Sequence, residues 1–159
     1  MKRGSTLFLK LVIILIGVVV LSWMIYFPTT EGRAVNLDLV SIYSDPFIIY
    51  LYIASTPFFV ALYQAFKILG LIAQNKVFSK SAVDALKNIK YCASSLCIFI
   101  IAALAFVIPN AKASGDDPAG FVALGVLAIF ASVVMATGTA VAQRLLQNAV
   151  DIKSQSIGR

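Results

Sequence analysis

Residues 11–30 read LVIILIGVVVLSWMIYFPTT, a stretch without a single charged side chain. A helix rises about 1.5 Å per residue, so roughly 20 residues cover the ~30 Å hydrocarbon layer of a bilayer. Three further runs share this character: Pro46 to Phe66, Tyr91 to Ala111 and Pro118 to Gln143. All 13 Lys and Arg and all 7 Asp and Glu lie outside the four runs. The pattern predicts an all-α fold: a polytopic membrane protein whose four transmembrane helices form an antiparallel bundle. The chain reads as one integral membrane domain over residues 1–159, with spans at roughly 8–28, 46–70, 91–109 and 118–143.

Composition agrees, with 60% hydrophobic and 13% charged residues and a mean hydropathy of +0.93. Soluble domains carry about a quarter of their residues as charges. Four spans and short connections leave no room for a soluble catalytic domain within 159 residues.

The net charge of +6 is sorted by segment. Lys2, Arg3 and Lys10 precede the first run, Lys67, Lys76, Lys80, Lys87 and Lys90 lie between the second and third, and Arg144, Lys153 and Arg159 follow the fourth. With Asp84 and Asp151 these segments total +9, whereas the other two connections, holding Arg33, Lys112, Glu31, Asp38, Asp45, Asp116 and Asp117, total −3. Basic residues of short loops stay on the cytoplasmic side. The expectation is a multi-pass protein of the bacterial cytoplasmic (inner) membrane with both termini and the middle loop inside. Topology accounts for the basic balance, and no direct nucleic acid binding is expected.

Lys2-Arg3 before an apolar stretch also fits a cleaved secretory leader, but no small-residue cleavage site follows. The first run ends in Trp23, Tyr26 and Phe27, aromatics of the kind that anchor a span at the interface. An uncleaved first helix is expected.

Ser44-Asp45-Pro46-Phe47 and Asp116-Asp117-Pro118-Ala119-Gly120-Phe121 read as helix starts before the second and fourth spans. Asp accepts hydrogen bonds from free backbone N–H groups, and Pro at the first helical position gives up a donor that had no partner. Inside the second span, Pro57 cannot donate to the carbonyl of Ile53, so a kink is expected there, either static or a gating hinge, with Ser55 and Thr56 able to serve the freed groups. In the fourth span Ala128, Ser132, Ala136 and Ala140 recur every four residues, with Gly125 and Gly138 nearby. Such a stripe lets helix backbones approach closely, within this bundle or against a homo-oligomer or partner.

The middle connection from Asn75 to Tyr91 reads as an amphipathic helix before the third span, with Ser79 or Ser81 as its cap. Val83, Leu86 and Ile89 fall on one side and Asp84, Lys87 and Asn88 elsewhere. With Val77 and Phe78 these apolar residues form a candidate docking segment for a cytoplasmic partner. A solvated connector, with lysines that enforce orientation and touch anionic membrane lipid, is the alternative.

The Val77-Phe78-Ser79 start, the spacing of Val83, Leu86 and Ile89, and Ala149-Val150-Asp151-Ile152-Lys153 after the fourth span resemble a bacterial family known as domain of unknown function 2975. The likeness covers mainly the second half of the chain. It implies a four-span membrane protein, often encoded beside a small helix-turn-helix regulator. The family commonly closes with an acidic stretch and an Asp-Leu-Thr-Ile-like tail, where this chain has Ser154-Gln155-Ser156-Ile157-Gly158-Arg159.

No catalytic, metal or cofactor site is expected. The chain has no His, which removes the Ser-His-Asp and Cys-His arrangements and most zinc sites. Cys92 and Cys97, five apart, are about 140° apart around a helix and read as packing residues. None of the four charge-free runs carries the ionisable residue that marks an ion path. The expected function is therefore a non-enzymatic membrane protein acting through protein contacts, as a sensor or regulator or as an accessory subunit of a membrane complex. The alternative is a small oligomeric channel or transporter lined by Gln64, Thr137, Thr139 and serines.

Overall fold

A computed structural model describes residues 3–30, 38–115 and 117–158 of the chain. Lys2, Glu31, Arg33, Asp116 and Arg159, which enter the charge argument above, lie outside the described residues. The elements are α1 (Arg3–Thr30), α2 (Leu39–Tyr43), α3 (Pro46–Ala73), α4 (Lys80–Ser114) and α5 (Ala119–Ile157). Four of them, α1, α3, α4 and α5, are long and apolar enough to cross a membrane.

The helices begin and end where local chemistry allows. Asp45 caps α3, its Oδ1 accepting from the Phe47 N–H at 2.8 Å with Pro46 in the first turn. The same device recurs at α5, where Asp117 Oδ1 accepts from the Ala119 N–H at 3.0 Å. There the helix starts one residue later than the sequence pattern suggests, with Pro118 as the capping residue. At the end of α3, Asn75 takes a left-handed φ of 55°. Its N–H donates to the Ile72 carbonyl at 3.1 Å and that of Lys76 to Leu71 at 2.9 Å. This paired closure satisfies carbonyls left open by the helix end, and Asn, after Gly, is the residue that tolerates the required backbone.

The principal contacts run α1 to α3, α3 to α4 and α4 to α5, with α2 set against α1 and α3. The spans therefore pack as a row in chain order, in which α3 and α4 are central. Tyrosine hydroxyls tie neighbours together: Tyr50 donates to the Phe99 carbonyl of α4 at 2.6 Å, Tyr52 to the Met24 carbonyl of α1 at 3.2 Å, and Tyr43 to the Ile25 carbonyl at 2.9 Å. The Tyr50 ring also meets Phe99 edge-on, with centroids 6.0 Å apart. Interhelical bonds of this kind contribute about 0.6 kcal/mol on average and up to about 1.7 kcal/mol in membranes. Tyr50→Phe keeps the ring contact and should lower stability by about 1 kcal/mol in a detergent unfolding titration. An unchanged midpoint would show that the hydroxyl contributes nothing.

Two helices outrun the bilayer. At 39 and 35 residues, α5 and α4 are about 58 and 52 Å long, against about 40–45 Å for a bilayer with its headgroups. The excess lies at the end rich in lysine and arginine, residues 80–90 of α4 and 144–157 of α5. Besides Pro28, ten described hydrophobic residues are buried, and five of them, Ala82, Val83, Ala85, Ile89 and Ala93, sit in or next to this extension of α4. The tightest packing of the molecule thus lies beside the charged segment, while the lipid-facing flanks stay exposed and apolar.

Candidate functional site

Two regions carry features beyond membrane residence: the basic end of α4 and an apolar groove toward the opposite end. At the basic end, α4 opens with Ser79, whose Oγ accepts from the Ala82 N–H at 3.4 Å. The cap is Ser79 rather than Ser81. Its length exceeds the usual 2.7–3.2 Å, so Ser79→Ala should cost only about 0.5 kcal/mol, read as faster amide exchange in the first turn of α4.

The candidate docking residues divide here. Val83 is 5% and Ile89 7% exposed, and Leu86 is half-buried on the same face. The packing partners of α4 are α3 and α5, so these side chains are covered from within the chain. Phe78 is 57% exposed and Val77 half-buried, between Lys76 and Lys80. Phe78 is the member of the set whose large apolar surface stays exposed.

On α5, Ala128, Ser132, Ala136 and Ala140 are half-buried, as is Gly125 on the same face. The principal neighbour of α5 is α4, and at Gly125 an added Cβ would lie 2.8 Å from Leu104 Cδ2. The structure therefore places the stripe against α4. Gly138 belongs to a different face, with nothing within 4 Å of a Cβ there.

Pro57 is half-buried and α3 runs through it as one helix. The hydroxyls of Ser55 and Thr56 both donate to the Tyr52 carbonyl, at 2.7 and 3.4 Å, and not to that of Ile53, which lost its partner. A helical Ser or Thr hydroxyl reaches the carbonyl three or four residues back: Ser55 takes Tyr52 at three, and Thr56, which has Ile53 at three and Tyr52 at four, takes Tyr52. The expected compensation at Ile53 is thereby corrected.

The groove, with a cavity volume of about 670 Å³, is bounded by all four spans. Trp23 and Phe27 of α1, Tyr50 of α3, Phe99 of α4 and Phe121 of α5 supply its aromatic wall. Phe47 and Phe121 face each other across it with centroids 6.3 Å apart. Sequence reasoning placed Trp23 and Phe27 at a membrane interface but had no signal for a shared cavity, because a cavity depends on how the spans are set beside one another.

Elsewhere in the spans, hydroxyls are used locally: Ser94 donates to Lys90, Thr137 to Val133, and Thr139 to Met135. Lys10 lies over the Phe66 ring, 4.9 Å from its centroid, where the long side chain can hold its cation near the basic end. Thr6 Oγ1 and Gln64 Oε1 are buried without a hydrogen-bond partner. Cys92 and Cys97 are free and half-buried, and among the described residues no three His, Cys, Asp or Glu side chains gather as a metal site.

The profile of the family described as a protein of unknown function (DUF2975) matches residues 29–156, three of the four spans and the connections between them. The chain belongs to this family. The match reaches well beyond the second half in which the short motifs were found. Over 158 residues, 98% of each chain, it is also 43% identical to the uncharacterized membrane protein YoaS of Bacillus subtilis (strain 168). No solved structure matches it. Family membership, the relative and the four candidate spans together make this an integral, multi-pass membrane protein.

Proposed function

We propose that this chain is a non-enzymatic protein of the bacterial cytoplasmic membrane that acts through protein contacts, as a sensor or regulator or as an accessory subunit of a membrane complex. The observation that carries this reading is Phe78, a large exposed aromatic beside Lys76 and Lys80 at the basic end, where basic connections favour a cytoplasmic setting. An exposed apolar anchor ringed by charge is the composition of a contact surface. In this reading the spans are antiparallel. The pairings of Met24 with Tyr52, Gly17 with Leu62 and Lys10 with Phe66 support it, because numbers fall along α1 as they rise along α3.

A small helix-turn-helix regulator, of the kind often encoded beside members of this family, is the expected partner of the sensor form. The channel reading is weaker, since Thr137, Thr139, Ser55 and Ser94 spend their hydroxyls on helix backbone, which leaves the Gln64 amide as the main candidate for a pore lining. A photo-reactive amino acid at Phe78 tests the proposal in native membranes. Capture of a soluble DNA-binding protein supports regulation, and capture of membrane subunits supports the accessory role. If nothing is captured at Phe78 while purified protein in liposomes conducts ions, the proposal fails.

A further inference from the structure

On α5 the face turned away from α4 has a repeat of its own. Leu127, Ala131, Val134 and Gly138 are followed at alternating steps of three and four by Val141, Leu145, Asn148 and Ile152, and all are exposed. At 100° per residue this line runs about 180° from the one through Gly125, Ser132 and Ala136 that meets α4. Apolar residues spaced 3.5 apart over more than three heptads are the pattern of a coiled-coil seam. Lipid can cover the portion inside the charge-free run, but Ile152 lies eight residues past Arg144, about 12 Å further along the axis, and is 68% exposed. The headgroup zone is only about 5–7 Å deep on each side. The line therefore leaves the membrane through Asn148 and ends on Ile152, exposed beyond the headgroups.

We propose that this seam of α5 packs against the same seam of a second copy of this chain, in a parallel pair about a two-fold axis normal to the membrane. An occupant must be a helix that is apolar through the bilayer and stays helical for several turns beyond it on the same side, and α5 itself meets both conditions. A two-fold axis makes one face complementary to itself. No charge lies in the seam. Its small members, Ala131 and Gly138, allow close backbone approach within the bilayer. Asn148 faces its twin outside the bilayer, where paired amides fix the register. From Leu127 to Ile152 the seam is about 39 Å long and about 10 Å wide, roughly 800 Å² over both helices in projection. Interlocking side chains bury more accessible area than this projection, toward the ~1,200 Å² at which specific interfaces begin. The pairing is independent of any contact at Phe78, which lies before α4.

Single cysteines in a Cys92→Ser, Cys97→Ser background test the proposal by oxidation in native membranes. Val141→Cys, Leu145→Cys and Ile152→Cys should form a disulfide-linked pair of full-length chains about tenfold more readily than Leu146→Cys or Val150→Cys on the opposite face. Equal yields on the two faces, no product from the seam, or a product of seam cysteines with a different protein would each overturn it. With both native cysteines retained, Ile152→Glu places a charge in the seam outside the span. It should weaken self-association of detergent-solubilised protein by about tenfold. Self-association unchanged by Ile152→Glu, or absent from the unmodified protein, also overturns the proposal.

Discussion

Val83→Asp should lower the stability of the protein by about 3 kcal/mol or more, whereas Phe78→Asp, five residues earlier, should change it by less than about 0.5 kcal/mol. Both substitutions put a carboxylate on the basic end of the chain, so a general electrostatic effect would act alike on the two. They differ in burial. Val83 is 5% exposed on the packed face of α4 beside Ala82 and Ala85, and an unpaired carboxylate there must either stay desolvated or force α4 away from its neighbours. Phe78 precedes the capping residue Ser79 and is 57% exposed, so Asp remains hydrated. Unfolding titrations in mixed detergent micelles, followed by circular dichroism, read both variants on one scale. Equal and small effects would mean that residues 80–90 do not pack as described.

The second large effect is expected where Gly125 of α5 meets Leu104 of α4. Gly125→Val places a Cβ where Leu104 Cδ2 lies 2.8 Å away, and adds two methyl groups beyond it. Leu104 is buried but also lines the groove, so its side chain can relieve part of the overlap only by giving up its packing and turning into that space. Overpacking of this kind costs about 1–3 kcal/mol, and about 2 kcal/mol is expected here. The cause is checked by relief: Leu104→Ala in the Gly125→Val background should recover more than half of the loss. Leu104→Ala alone should destabilise by leaving a cavity. A double-mutant cycle with no coupling between the two positions would remove the contact from the account.

Location and helix number were legible because a bilayer excludes charge, and twenty charged residues that all avoid four runs leave one reading. The cap at Asp45-Pro46 was legible because capping is local, decided by residues within one turn. The role of Val83 and Ile89 was not. A stripe of apolar residues three and four apart looks the same whether it rests on headgroups, a partner or a neighbouring helix of its own chain. The Tyr50 and Tyr52 bonds escaped for a similar reason, since their acceptors, Phe99 and Met24, lie 49 and 28 residues away along the chain. The small-residue stripe of α5 was visible, but Leu104, the side chain that makes Gly125 matter, is distant in sequence and unremarkable by itself. At Pro57 the sequence located the broken hydrogen bond but not where the hydroxyls turn, because Thr56 has carbonyls three and four residues back to choose from and its rotamer decides between them.

The unbroken length of α5 gives the Gly125 contact mechanical reach. Between Gly125 and Ile157 the helix runs 32 residues, about 48 Å, without an internal proline. A tilt of about 5° about that contact would move the far end by about 4 Å, a displacement of the size by which packed elements shift in switching proteins. Gly125 also borders the aromatic groove, so the pivot and the cavity share a wall. A change in the filling of the groove, far from the basic end, thereby has a rigid lever through which to be felt there.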